Sequence, residues 1–266
     1  MDVQLTIILT LTFVIHLIDT LAYSVRIAGV RTRRLAVSFS LFNILVLVSR
    51  TALTFQAPLL ARRLETAIHA GRHGFPHDLR LVLVAGSLAT IAGALLIPTF
   101  QNAFTKAVKG FNIYRSVPRL LIHGFSKAGL LHLRDSLKVP QAGPVLSLHR
   151  RSRLPARLLV VNTFAVGAWT VAVLASLYAG YLVPQYRVTA NSLAAVVSGI
   201  ATIMLFVFSD PYLSTLTDDV LEGTVSEGFF RRSVVWLVGS RLAGTLAAQL
   251  FLAPAALLIA RLAKSM

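Results

Sequence analysis

Apolar residues along this chain come in six long runs, at about 3–25, 35–60, 79–101, 158–183, 190–213 and 233–260. A helix rises about 1.5 Å per residue, so roughly 20 apolar residues are enough to cross a bilayer. Each run meets that length, and the pattern predicts an all-α integral membrane protein with six transmembrane helices in a single polytopic domain, 1–266. Pro58, Pro98, Pro184, Pro211 and Pro254 fall near run ends, where lost backbone bonds are easiest to satisfy. The first run begins almost at Met1, with no basic leader and no small-residue cleavage site, and is expected to be a retained helix.

The runs are not purely apolar. Asp19 interrupts the first, Arg50 the second and Arg241 the sixth, and Asp210 ends the fifth. Ionisable groups at membrane depth are costly, and they mark a polar pathway or site by default. A guanidinium does not lose its proton, so Arg50 has to be solvated inside the protein. His16 lies one helical turn before Asp19, and Arg26 lies seven residues after it, all on a similar face. Arginines suit phosphate oxygens because their forked donors match them. Arg50, Arg241 and Arg26 are therefore the candidate substrate-binding residues, and Asp19, Asp210 and His16 the candidates for counter-charge or proton coupling. The competing reading is structural: Arg50–Asp19 and Arg241–Asp210 would only lock helices together, and Arg26 and Asp210 would snorkel to the interface. Asn43 and Gln56 are expected to bond neighbouring helices.

Between the third and fourth runs lies a basic segment, 102–157, too long for a plain loop and too polar to span. Phe104, Val108 and Phe111 recur at helical spacing beside Lys106 and Lys109, and Leu120, Leu121, Leu130, Leu131 and Leu133 add apolar content among Arg119, Lys127 and Arg134. This predicts one or two amphipathic interfacial helices in a long central cytoplasmic loop, with anionic membrane lipids as partners. The stretch from Val139 to Pro155 reads as an irregular basic linker.

Composition supports the membrane class: 56% of the 266 residues are hydrophobic and 14% charged. The net charge of +16 would suggest nucleic acid in a soluble protein, but the basic residues lie mostly between apolar runs, so no nucleic-acid partner is expected. With the N-terminus outside, 17 Lys and Arg fall on the inside loops and 7 on the outside segments, which predicts both termini on the periplasmic side. There is no cysteine, hence no disulfide framework, thiolate metal site or cysteine nucleophile.

Other signatures are weak. His69, His73 and His77 have metal-like spacing, but Gly71, Gly74 and Pro76 interrupt their helix. Asp218, Asp219 and Glu222 could hold magnesium against a pyrophosphate, yet the second acidic motif such enzymes use is missing. No phosphate loop, H-E-x-x-H or G-x-S-x-G motif occurs. These absences argue against an enzyme without excluding one, and the charges at membrane depth point to a protein that handles a charged substrate, with no cofactor or metal expected. The alternatives are a membrane enzyme acting on a polyprenyl phosphate and a non-transporting envelope-synthesis scaffold. Ser49-Arg50 and Ala57-Pro58 in the second run resemble Ser240-Arg241 and Ala253-Pro254 in the sixth. The spacings differ by several residues, and chance within a small alphabet accounts for the echo better than an inverted three-plus-three repeat.

From His16 to Thr32 the chain reads H-L-I-D-T-L-A-Y-S-V-R-I-A-G-V-R-T, followed by Ser40-Leu41-Phe42-Asn43, Ser49-Arg50-Thr51 and Gln56-Ala57-Pro58. These stretches resemble the Amj-type lipid II flippases of bacteria, an alternate to MurJ. Length and six-helix organisation agree across the whole chain, while the match beyond the second run is mainly one of architecture. The resemblance implies a protein of the bacterial inner membrane that exports lipid II, the undecaprenyl-pyrophosphate-linked disaccharide-pentapeptide precursor of peptidoglycan. Peptidoglycan-synthesis machinery is a further candidate partner. The resemblance carries over no residue-level mechanism. A dianionic pyrophosphate crossing a low-dielectric path needs cations, which agrees with the arginines read from the runs.

Overall fold

The structure, a computed structural model, describes residues 2–71, 74–114 and 154–266. Among the described residues all regular structure is helical: α1 (Val3–Thr32), α2 (Leu35–His69), α3 (Phe75–Tyr114), α4 (Ala156–Leu182), α5 (Arg187–Met204), α6 (Asp210–Glu222) and α7 (Glu227–Ser265). A short 3-10 turn, Pro184–Tyr186, precedes α5, and a π-helical turn, Leu205–Ser209, joins α5 to α6 so that the two form one crossing. The result is six helical spans long and apolar enough to cross a membrane. Several run on well past the apolar stretch that the sequence delimits, so Pro58, Pro98 and Pro254 lie inside helices.

Local chemistry sets the ends. The Asp2 carboxylate caps α1 by accepting the Leu5 backbone N–H at 2.8 Å, and the Ser226 hydroxyl accepts that of Phe229 at the start of α7. Gly223, at φ 81°, closes α6 in the left-handed conformation glycine adopts without steric cost. The π turn has an identifiable cause. Pro211 has no N–H to donate, and just before it the Ser209 hydroxyl donates to Asn162 Oδ1 at 2.8 Å, anchoring the re-registered turn to α4.

The helices pack as two triplets with a common scheme. In the first, α1 is packed against both α2 and α3; in the second, α4 is packed against both α5 and α7. Each triplet has an odd number of crossings, so the second runs through the membrane in the opposite sense to the first. The triplets meet mainly where α3 packs on α7. This scheme makes α2 the counterpart of the α5–α6 crossing and α3 the counterpart of α7. The echo between Ser49-Arg50 and Ser240-Arg241 therefore joins non-equivalent helices.

Close contact within each triplet depends on glycine. A Cβ on Gly93 of α3 would fall 2.7 Å from Thr20 Cβ of α1, and one on Gly244 of α7 would fall 2.6 Å from the Thr163 carbonyl oxygen of α4. Small residues let backbones approach where the surrounding lipid supplies no hydrophobic drive for association.

One expectation needs correction. Residues 102–114 are not the start of a separate surface helix; they continue α3. Val108 is fully buried beside Val25 of α1 and Leu41 of α2, with Phe104 packed on the same cluster. The apolar stripe at helical spacing is real, but it faces two protein helices instead of lipid. Alternation with Lys106 and Lys109 looks the same in either case. The rest of the predicted interfacial segment, 115–153, lies outside the described residues.

Candidate functional site

The bundle has a basic end, where α1 finishes at Arg31 and Arg33 and α7 brings Arg231 and Arg232, and an opposite end holding Asp2, Arg63 and Asp78. Midway between them, Asp19 of α1 accepts from Arg241 Nη2 of α7 at 3.2 Å and from the Ser49 hydroxyl of α2 at 2.7 Å. Both charged side chains are largely buried, 11% exposed for Arg241 and 13% for Asp19. Two turns nearer the basic end, Arg26 Nη2 donates to Asp210 Oδ1 at 2.9 Å and its guanidinium lies 4.9 Å over the Phe42 ring. At that end itself, Arg31 Nε donates to Glu227 Oε1 at 2.6 Å.

The acids and bases singled out from the sequence are thus brought together, but in different couples. The structural alternative joined Arg50 to Asp19 and Arg241 to Asp210. The structure joins Arg241 to Asp19 and Arg26 to Asp210. Arg26 does not snorkel: it is only 13% exposed and spends its donors on a carboxylate. The reason is the three-plus-three packing, which sets α7 beside α1 at the depth of Asp19 and the start of α6 beside α1 at the depth of Arg26. Helix order along the chain carries no information on those neighbours.

Arg50 is left without a carboxylate, the five ion pairs among the described residues being made by other groups. Its guanidinium lies 4.8 Å over the Trp169 ring of α4, a cation–π contact that offsets part of the desolvation. The side chain is exposed, and it faces a cavity of about 870 Å³. That cavity is bounded by α1 (Thr12, His16), α2 (Arg50, Leu53, Ala57), α4 (Trp169, Val173) and α5 (Ser198, Thr202, Phe206). Its walls are mostly apolar, and Arg50 is the one Lys, Arg, Asp or Glu among the described residues that line it. Although α1 and α4 close its base, α2 and α5 make almost no contact with one another among the described residues, so it opens sideways between them. The cavity runs from mid-depth toward the opposite end, whereas the three ion pairs fill the half nearer the basic end.

His16 lines the cavity without bonding Asp19. It is 5% exposed, its ring meets Trp169 edge-on at 6.2 Å, and its Nδ1 has no hydrogen-bond partner among the described residues. A Cβ on Gly86 of α3 would come within 3.0 Å of that ring, so the imidazole is wedged between α3 and α4. Gln56 does bridge helices, donating to the Thr12 hydroxyl of α1; Asn43 is exposed instead. Among the described residues no group of three metal-ligating side chains converges, and His73 lies outside them.

Sequence reasoning missed Trp169, Ser49 and Asn162. Asn162 is 1% exposed and donates to Ser240 Oγ at 2.8 Å, tying α4 to α7 next to Arg241. Trp169 did carry a signal: it sits in the middle of its apolar run, away from the interfaces where tryptophan concentrates in membrane proteins.

Residues 11–263 match the family model described as Amj, alternate to MurJ. The chain belongs to this family. A curated family member from Bacillus subtilis (strain 168), named Lipid II flippase Amj, is 35% identical over 98% of this chain and 97% of its own length. No solved structure matches. Family membership and six apolar helices together make this a multi-pass membrane protein. The matched region takes in Asp19, Arg50, Trp169, Asp210 and Arg241, so the cavity and the inner ion pairs belong to the part of the chain the family shares.

Proposed function

We propose that this chain flips lipid II from the cytoplasmic to the outer leaflet of the bacterial inner membrane, acting as a transporter and not as an enzyme. The observation that carries the reading, beside the named relative, is Arg50: a guanidinium at membrane depth with no carboxylate partner among the described residues, exposed to a cavity that opens between α2 and α5. An anionic group linked to a hydrocarbon chain fits that arrangement. The pyrophosphate meets Arg50 through forked charge-assisted hydrogen bonds, and the polyprenyl tail leaves through the lateral opening into lipid. The cavity is the size that encloses a drug-sized ligand. A disaccharide-pentapeptide is larger, so in this conformation the cavity takes the pyrophosphate and only part of the head group.

Arg241 and Arg26 are helpers at most in this conformation, because Asp19 and Asp210 already hold them. Those two acids supply the counter-charge of the empty path. The basic end faces the cytoplasm in this reading, with both termini periplasmic, on the excess of 17 Lys and Arg over 7. Lys106, Lys109 and Arg157 at that end suit anionic lipid and the anionic head group alike.

The test is complementation in a bacterium depleted of its essential MurJ, with a periplasmic precursor-cleaving toxin reporting outer-leaflet lipid II. Wild type is expected to rescue and to expose precursor, and Arg50→Ala at equal protein level to do neither. Rescue by both would keep the flippase and remove Arg50 from the path. A stably inserted wild type that neither rescues nor exposes precursor would refute the function.

A further inference from the structure

Three ion pairs lie in sequence along the half of α1 nearer the basic end: Asp19–Arg241, Arg26–Asp210 and Arg31–Glu227. From residue 19 to residue 31 they cover about 18 Å of helix axis, half a bilayer. All three join the first triplet to the second. Both signs occur on each side, α1 giving an acid and then two bases, while α7, α6 and α7 give the complements. In the other half of the bundle the ion pairs found, Arg63–Asp2 and Arg63–Asp78, stay within the first triplet. There, between α2 and α5, the cavity stands open. One half of the path is thus zipped by charges across the triplet boundary, and the other is not.

We infer that this ladder is a gate: the three pairs close the basic end of the path while the cavity is open elsewhere, and they separate when the path opens at that end. The inference rests on the transport reading of the preceding section. Ion pairs suit the task better than apolar packing. Their energy falls away once water enters between the partners, so each half is stable either zipped or wet, and not in between. The packing suits it as well. Each triplet is tightly knit by its glycine contacts, so rocking moves each as a unit, and opening the basic end parts the ladder together with the apolar contact of Ile27 and Val30 with Leu216, Phe230 and Val234 beside it. Ser24 lies on α1 between Asp19 and Arg26, fully buried and with no hydroxyl partner among the described residues, so a reagent entering from the basic end reaches it only if that half of the path is open.

The absence of cysteine makes a clean test possible. Cysteines replace Arg31 and Glu227 and are joined by a short, reducible bis-methanethiosulfonate tether in full-length protein in cells and vesicles. The tether is expected to stop lipid II exposure, and reductant to restore it. The same tether between Arg63→Cys and Asp78→Cys, within one triplet, leaves exposure intact. In a separate arm, Ser24→Cys is labelled by an impermeant thiol reagent in inverted vesicles. Labelling is slow in the parent and several-fold faster when Arg26→Gln and Asp210→Asn remove the middle pair. Exposure at the parental rate with 31 and 227 tethered, equal loss from both tethers, or unchanged Ser24→Cys labelling would each overturn the gate. If the cysteine-free wild type exposes no lipid II at all, the transport reading fails, while the labelling arm still decides whether the ladder opens.

Discussion

Removing one partner of the Asp19–Arg241 couple should cost more than removing both. The two side chains are 13% and 11% exposed, and their contact is supported by the Ser49 hydroxyl on Asp19 Oδ1. Asp19→Asn keeps the shape and that hydrogen bond but strands the Arg241 guanidinium, whose Nε already has no partner among the described residues. Breaking a buried pair from one side costs about 3–5 kcal/mol, because an uncompensated charge stays buried. The residual exposure and the nearby cavity place the expected loss at the lower end, about 3 kcal/mol. At about 2–4 °C per kcal/mol for chains somewhat shorter than this one, the apparent melting point should fall by roughly 6–12 °C. Arg241→Gln should do much the same by stranding Asp19. The double variant Asp19→Asn/Arg241→Gln leaves two neutral amides able to bond one another and Ser49, and it should recover most of the loss. The assay is thermal unfolding of the four purified proteins in one detergent at one salt concentration, read as a double-mutant cycle. Additive losses in the double variant would refute the reasoning, since they would mean that neither charge depends on the other.

Two further outcomes are expected. Gly244→Val should reduce the yield of folded protein and lower its melting point by several degrees. Its Cβ meets the Thr163 carbonyl at 2.6 Å, and backbone on both sides has no rotamer with which to yield; a parental melting curve would contradict the close-packed α4–α7 contact. Asp2 caps the Leu5 N–H and accepts from Arg63, in that order of influence, and both hold its carboxyl below the usual carboxylate range. A lowered folded value means stability that is present above the ordinary carboxylate pKa and lost as pH falls through the folded one. The melting point of wild type should therefore exceed that of Asp2→Ala at neutral pH, and the gap should close only below about pH 4, as followed by paired melts. A gap independent of pH would show that the cap does not act through the charge.

Much of this protein was legible along its chain. Six apolar runs of bilayer length specify helices because lipid leaves every backbone donor and acceptor to be satisfied within its own segment. Asp19, Arg26, Arg50, Asp210 and Arg241 stood out because a charge at that depth has to be solvated by protein. The stretch from His16 to Thr32 carried the family. The partners of those charges were not legible. Periodicity ranks the faces of one helix but does not say which helix covers them, so the structural alternative paired Arg50 with Asp19 where the fold supplies Arg241. For the same reason the stripe through Phe104 and Val108 could be read as lipid-facing when it is covered by α1 and α2. Trp169 became part of the site only when α4 set it against Arg50, and the lateral opening exists only because α2 and α5 barely meet among the described residues. Composition and hydropathy determined that this chain spans a membrane with charges inside it. Tertiary packing decided which charges cancel and which one faces the cavity, because both depend on helix–helix neighbours that local sequence does not encode.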